Sequence, residues 1–347
     1  MRSGHAPGRT VLAARPARTC GLRPARAHAP VRPVRGARPI RLDSGRPVRW
    51  DGRVATDTAT EVFEEHRPVL MGVAYRMLGR VADAEDVVQE TWLRWSAAEH
   101  GEVRVPRAYL VRTTTRLAID RLRRIKSRRE AYVGPWLPEP LVTDLARTVP
   151  DAAERAVLAD TVSLAVMVVL ESLSPLERAV FVLREAFGFP FTEIATTLDR
   201  SEQAVRQLAT RARRHVDERR PRYDVDPVER RDLTERFLAA AVDGDLDGLV
   251  ALLAPDARLV GDSGGKAKAP VRVIESADKV ARFLDGVARQ GIADPRFRFL
   301  EVNGGVAVLV LFGGKPDSVL QIDVSEGRVQ CVHIVRNPDK LLHLADV

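Results

Sequence analysis

The residues best equipped for chemistry lie between Ser174 and Arg214, and the chemistry they suit is gripping and reading a nucleic acid. Ser174-Pro175-Leu176-Glu177 combines a capping serine, a proline at the first helical position and a glutamate three residues after the serine, so it opens a helix carrying Val180, Phe181 and Leu183. A short helix is expected over 192–198, with Ala195 small enough for a close crossing, and Asp199-Arg200 make the turn after it. Ser201 then caps a second helix whose apolar residues Val205, Leu208, Ala209 and Ala212 recur at i, i+3, i+4 and i+7. That spacing turns Gln203, Arg206, Gln207, Arg211, Arg213 and Arg214 outward, where amides and guanidiniums can read base edges or hold phosphates. The pattern is a helix-turn-helix with a basic second helix.

A second basic surface precedes it. Arg112, Arg116, Arg121, Arg123, Arg124 and Lys126 could follow a phosphate backbone, and Thr113, Thr114 and Thr115 could hydrogen-bond unstacked bases. Residues 107–130 hold nine basic side chains against two acids, whereas 61–102 hold nine acids against four arginines, so one face attracts phosphate and the adjoining one repels it. Two basic helical modules joined by a proline-containing linker suggest one DNA held at two places.

The elements that must position these groups follow from periodicity. From Glu61 to about Arg129 apolar residues step by threes and fours, with Gly79 closing one helix and Pro106 opening another, which predicts an all-helical bundle. The 131–150 stretch breaks the pattern with five prolines or glycines and reads as a linker. Helical periodicity resumes over 151–221, including the apolar run 162–170, far too short to span a membrane. After a hinge at Asp224-Val225-Asp226-Pro227, two helices precede alternating stretches over 297–302, 306–312, 319–324 and 329–335, which predicts an α+β domain with a curved antiparallel sheet. The first 53 residues carry thirteen arginines, two acids and seven prolines, cannot bury enough apolar surface to fold, and are expected to be disordered, with translation starting near Val54. Two cysteines, Cys20 and Cys331, exclude a disulfide scaffold and show no paired metal spacing.

Ala84-Glu85-Asp86-Val87-Val88-Gln89-Glu90-Thr91-Trp92-Leu93-Arg94 and Leu117-Ala118-Ile119-Asp120-Arg121-Leu122-Arg123 resemble region 2 of the extracytoplasmic-function sigma factors of bacterial RNA polymerase. The segment from Leu173-Ser174-Pro175-Leu176-Glu177-Arg178 through Ala204-Val205-Arg206 resembles their region 4. The resemblance implies that Glu85, Asp86, Val88, Gln89, Trp92 and Leu93 dock on the polymerase core. It further implies that Arg112, Thr115, Arg116, Arg121, Arg123 and Arg124 capture the −10 element, and that Ser201, Gln203, Arg206, Gln207, Arg211, Arg213 and Arg214 read the −35 element. Many relatives have Asn where this chain has Arg116, so their −10 base preference does not carry over.

Three further motifs, Trp136-Leu137-Pro138-Glu139-Pro140, Asp262-Ser263-Gly264-Gly265-Lys266 and Asn337-Pro338-Asp339-Lys340-Leu341, are similar to signatures of the subgroup with a fused SnoaL-like, NTF2-fold domain. Their resemblance implies regulation of the sigma factor in cis, through an interdomain set of Trp136, Pro138, Glu139, Asp262, Gly264, Gly265, Lys266, Asn337, Pro338, Asp339 and Lys340. Physically, Trp136 is a rigid apolar anchor that wants a pocket, which the two later motifs could build, with Lys266 or Lys340 pairing with Glu139. The expected chain is multidomain: a tail over 1–56, region 2 over 57–130, the linker 131–150, a region 4 helix-turn-helix over 151–223, and an α+β, cone-shaped NTF2-like domain over 228–347.

Such a protein is no enzyme, needs no cofactor or metal, stays in the cytoplasm off the membrane and is a monomer when free. Its partners are promoter DNA and core polymerase, through the clamp of the largest subunit and the flap of the second-largest, with no separate anti-sigma factor. The alternative is small-molecule binding or isomerase- or cyclase-type chemistry in the third domain, where Asp262, Asp323 or His333 could act as acid or base.

Overall fold

The computed structural model describes residues 54–99, 103–129, 132–143, 164–218, 226–290 and 295–345; the arginine-rich tail and the second half of the expected linker lie outside the described residues. Three helices come first, α1 (Val54–Leu78), α2 (Val81–Ser96) and α3 (Pro106–Arg129). α1 stops where Gly79 takes a left-handed φ of +72°, a conformation that favours glycine. Trp95 is fully buried among the three helices, its indole N–H donating to the Ala59 carbonyl at 2.8 Å.

Next come α4 (Leu164–Leu170), α5 (Pro175–Phe181), which widens into a π turn over Val182–Ala186, α6 (Phe191–Leu198) and α7 (Glu202–Asp217). The predicted capping box is present: Ser174 Oγ accepts from the Glu177 amide at 3.3 Å, and Glu177 Oε2 accepts from the Ser174 amide at 3.1 Å. α6 and α7 turn on Asp199, at a left-handed φ of 55°, and Ser201 Oγ caps α7 by accepting from the Ala204 amide at 3.2 Å. The two helical modules share one core, in which Leu70, Met77 and Leu122 join Leu170, Val180 and Leu183. Arg178 is buried at their junction, donating from Nε to the Arg76 carbonyl at 2.9 Å and from Nη1 to Glu171 at 2.6 Å. Among the described residues no helix is long and apolar enough to cross a membrane.

The C-terminal domain is α+β: α8 (Pro227–Asp243), α9 (Leu246–Leu252), β1 (Leu253–Asp262), β2 (Ile274–Glu275), α10 (Ala277–Arg289), β3 (Arg296–Val302), β4 (Gly305–Phe312), β5 (Lys315–Ser325) and β6 (Arg328–Val335). The strands order as β2-β1-β6-β5-β4-β3, antiparallel except for β1 beside β6. Helices cover one face, burying Leu233, Phe237, Val280 and Leu284 against Val308, Ile322 and Val332. The opposite face, with Val302, Leu309, Val319 and Val335, receives Leu137 from the linker. The sequence shows β3 to β6 but hides β1, because Pro255-Asp256 looks like a turn; the ladder absorbs it as a register shift between Leu253 and Arg258.

Candidate functional site

α7 presents what its spacing promised. Val205, Ala209, Ala212 and Val216 are buried, and Gln203, Arg206, Gln207, Arg211, Arg213 and Arg214 are exposed, as is the capping Ser201. Arg206 lies against Glu202 at 2.5 Å and stacks over the Phe191 ring, its guanidinium 4.6 Å from the centroid. Arg213 pairs with Glu185 at 2.7 Å, while Arg211 and Arg214 make looser pairs with Glu177 and Glu218 at 3.7 and 3.8 Å. Exposed pairs of this kind are worth little, so these side chains can exchange a carboxylate for a phosphate or a base at small cost.

The α3 surface departs from expectation. Thr115 and Thr114 are fully buried, and the Thr114 hydroxyl meets that of Thr91 at 3.1 Å, so Thr115 is not available to bases in this arrangement. Three successive threonines on a helix point about 100° apart, and only Thr113 stays near the surface, donating to the Tyr109 carbonyl at 2.9 Å. Arg116, half-buried, donates from Nε to the Thr197 carbonyl of α6 at 3.0 Å, and Lys126 donates to the Leu173 carbonyl at 2.6 Å, so two basic side chains of α3 rest on the second helical module. Arg121 bridges Asp83 at 2.5 Å and Asp86 at 2.7 Å. Arg112 is half-buried; Arg123 and Arg124 are exposed. The basic face of α3 is thus partly covered from within the chain.

On α2, Glu85, Asp86, Gln89 and Leu93 are exposed, Leu93 at 56%. Val88 is instead buried in the bundle, a correction to its expected place on that surface, and Trp92 is half-buried with its ring 5.0 Å from Phe63.

The most closely built region surrounds the linker. Asp262, at the end of β1, is 0% exposed, and its Oδ2 accepts from the Leu137 amide at 2.7 Å and from Lys340 Nζ at 2.6 Å. Its Oδ1 accepts from the Tyr132 hydroxyl at 2.5 Å. Lys340, 2% exposed, also donates to the Leu137 carbonyl at 2.5 Å and sits 3.9 Å from the Trp136 ring centroid, a cation–π distance. Lys340 is presented by a short turn, Pro338–Lys340, capped by Asn337, whose Oδ1 accepts from the Asp339 amide at 3.1 Å and whose Nδ2 donates to Tyr132 at 2.9 Å. Lys266 closes this turn from outside by pairing with Asp339. Gly264 has a φ of +57°, and a Cβ there would lie 2.6 Å from Asn337 Nδ2, so the turn has room for glycine alone; Gly265 follows at +75°.

The linker continues along the α1–α2 corner. The Glu139 amide donates to the Gly79 carbonyl at 2.8 Å, and the Glu139 carbonyl accepts from Tyr75 at 2.9 Å. Asn303 donates to the Tyr75 hydroxyl at 2.7 Å and accepts from the Leu141 amide at 3.1 Å, and Val142 then pairs antiparallel with Val302 on β3. Two expectations change. The deepest anchor is Leu137, wholly buried among Leu300, Val302, Leu309 and Leu341, whereas Trp136 is half-buried and spans from Lys340 to Gly79. Glu139 is held not by Lys266 or Lys340 but by the Val81 amide at 3.3 Å, Arg80 at 3.8 Å and His343 at 3.3 Å. Pro138 is buried and Pro338 exposed.

Burial raises the Glu139 carboxyl from its ordinary 4.5 to about 7, against the opposing pull of Arg80, the Val81 N–H and Lys340 and with a small push from Asp83. Since the folded state holds this proton more tightly than the unfolded chain, its contribution to stability is complete below about 4.5 and lost as pH rises through about 7. Glu139→Gln should flatten that portion of the pH dependence. Urea midpoints of the two proteins compared from pH 5 to 8 check it, and parallel curves would refute it.

Residues 62–129 match the family model of Sigma-70 region 2, and residues 163–216 that of Sigma-70, region 4. The chain is 42% identical over 289 residues to the ECF RNA polymerase sigma factor SigJ of Mycobacterium tuberculosis (strain ATCC 25618 / H37Rv), spanning 80% of this chain and 91% of that protein. It is 34% identical to the probable ECF RNA polymerase sigma factor SigI of the same organism, over 82% of this chain and 95% of the relative. The crystal structure of Mycobacterium tuberculosis SigJ superposes with a TM-score of 0.66 at 40% identity, covering 82% of this chain and 98% of that one. With an exposed, capped, basic helix within region 4 and a helical region 2 beside it, this chain belongs to the extracytoplasmic-function sigma factors, which direct RNA polymerase to promoters and initiate transcription.

Proposed function

We propose a division of labour among the surfaces just described. α7 reads the −35 element as duplex through Gln203, Arg206 and Gln207, with Ser201, Arg211, Arg213 and Arg214 on phosphates. Arg112, Arg116, Arg121, Arg123 and Arg124 serve the −10 element, and the exposed Leu93 with Glu85, Asp86 and Gln89 docks on the clamp of the largest polymerase subunit, region 4 meeting the flap of the second-largest. The C-terminal domain regulates in cis, and the free protein is a monomer needing no separate anti-sigma factor. The observation carrying this reading is the buried Asp262–Lys340 pair closed around Leu137: it ties the chain between regions 2 and 4 to the third domain while Arg116 rests on Thr197. A two-site DNA reader depends on the spacing of its modules, so a clamp that fixes the connecting chain controls activity, and this packed arrangement is the resting one.

Arg206→Ala should cost about 1–3 kcal/mol on a cognate −35 element if the side chain leaves Glu202 for a bidentate base contact. Equal losses on cognate and random duplex, measured at fixed salt, would make Arg206 a phosphate contact and remove it from the reading set. Runoff transcription with core polymerase tests the whole assignment. No promoter-dependent transcript from any genomic fragment, with core binding intact, would overturn it.

The enzymatic alternative finds no support in the geometry. Asp262 is committed to the linker, and His333, hydrogen-bonded to Asp323 at 2.8 Å on the linker-side face of the sheet, is only 3% exposed, so its ring is closed to a substrate.

A further inference from the structure

One buried group takes no part in the clamp. Cys331 and His333 alternate along β6 onto the face that carries Val335, and Asp323 lies directly opposite Cys331 on β5. His333 Nε2 is 2.8 Å from Asp323 Oδ2, and His333 Nδ1 is 4.0 Å from Cys331 Sγ. Thiol and imidazole are each 3% exposed, and the three side chains bring one ligand atom apiece within 4.8 Å of one another.

A carboxylate on one ring nitrogen, fixing the tautomer and leaving the other nitrogen for an ion, is how metal-binding histidines are usually held. The ion would lie between Nδ1 and Sγ. With bonds of about 2.3 Å to sulfur and about 2.0 Å to nitrogen, the observed 4.0 Å gap opens a donor–ion–donor angle of roughly 135–140°, wider than a tetrahedral one. Zinc asks for four donors in a tetrahedron. Here Asp323 is engaged at the far side of the ring, and burial keeps water from completing the set. A thiolate with an imidazole and a wide angle between them suits copper(I) instead.

We propose that Cys331 Sγ and His333 Nδ1 form a two-donor site for a soft, closed-shell monovalent cation of the copper(I) class, with Asp323 as the positioning residue that presents the ring. The ion displaces two protons, that of the thiol and the Nδ1 proton of the ring, which, in spite of burial, Asp323 and Cys331 hold there well above the ordinary histidine range; both leave to solvent. The site stands on its own geometry and does not depend on the assignment of the DNA-reading surfaces.

The test uses the full chain carrying Cys20→Ser, so that Cys331 is the single thiol, titrated anaerobically with copper(I) against bicinchoninate as a coloured competitor. One copper(I) per chain should be withdrawn from the competitor, and X-ray absorption should report one sulfur and one nitrogen donor. Cys331→Ala should abolish the uptake, and Asp323→Asn should weaken it by about 10- to 100-fold while preserving the same two donors. Uptake unchanged in Cys331→Ala, no uptake by the folded parent, or a four-coordinate zinc taken up in preference would each overturn the proposal. If Cys331→Ala fails to fold, the donor set of the parent and the affinity of Asp323→Asn decide it.

Discussion

Asp262→Asn should release the linker more completely than any other single change. Lys340 would be left buried without its carboxylate, and the Tyr132 hydroxyl and Leu137 amide would lose half the acceptor strength that holds them. Removing one partner of a buried ion pair costs about 3–5 kcal/mol, because the surviving charge stays desolvated. That corresponds to roughly two to four orders of magnitude in the docking equilibrium. The expected result is rapid protease cleavage within 132–143 and a higher runoff transcript level, since the packed arrangement is the one being lost. Lys340→Met should cost less, as Asp262 keeps two donors and the methionine still fills the space beside Trp136. If Asp262→Asn leaves both cleavage and transcription at parental levels, the clamp has no regulatory weight.

The second large effect is expected at Leu137. Its side chain is wholly enclosed by Leu300, Val302, Leu309, Val335 and Leu341, so Leu137→Ala should lower docking stability by about 2–5 kcal/mol through lost burial and the cavity left behind. Trp136→Ala removes a larger side chain but a half-buried one, and should cost less. Guanidinium titrations of linker protection rank the two. A larger loss at Trp136 would mean that the cation–π contact with Lys340, rather than the apolar seat of Leu137, holds the linker.

What the sequence disclosed was what local rules decide. The capping box at Ser174, the turn at Asp199 and the outward face of α7 depend on residues within a few positions of one another, and all three are where spacing put them. Thr115 departs from expectation because basic neighbours make α3 look like a free surface, whereas Thr115 is fully buried and Thr114 beside it meets Thr91 of α2. The clamp was half legible. Its three motifs do converge, but charge alone does not choose partners: Lys340 reaches Asp262 across 78 positions, and Glu139 goes to Arg80 and His343. Tyr132, Asn303 and Tyr75 carried no signal, since each matters only through a partner more than 60 positions away. The Cys331-Val332-His333 alternation was readable as two groups on one strand face, but only the register with Asp323 reveals a site.

The pairing of Val142 with Val302 bears on how this protein can be handled by a cell. β3 is the outermost strand of its sheet, and the linker occupies part of its free edge, with the Thr143 amide donating to the Glu301 carbonyl and the Asn303 amide to the Leu141 carbonyl, both at 2.8 Å. When the linker departs, unpaired backbone groups and the apolar seat of Leu137 are uncovered together, which is the combination that lets one sheet recruit the edge of another. The released form, which the proposed clamp makes the active one, is therefore also the sticky form. Its lifetime outside the polymerase sets an upper limit on how much of it a cell can hold before strands pair between molecules, and release variants should form sheet-linked oligomers in proportion to their concentration.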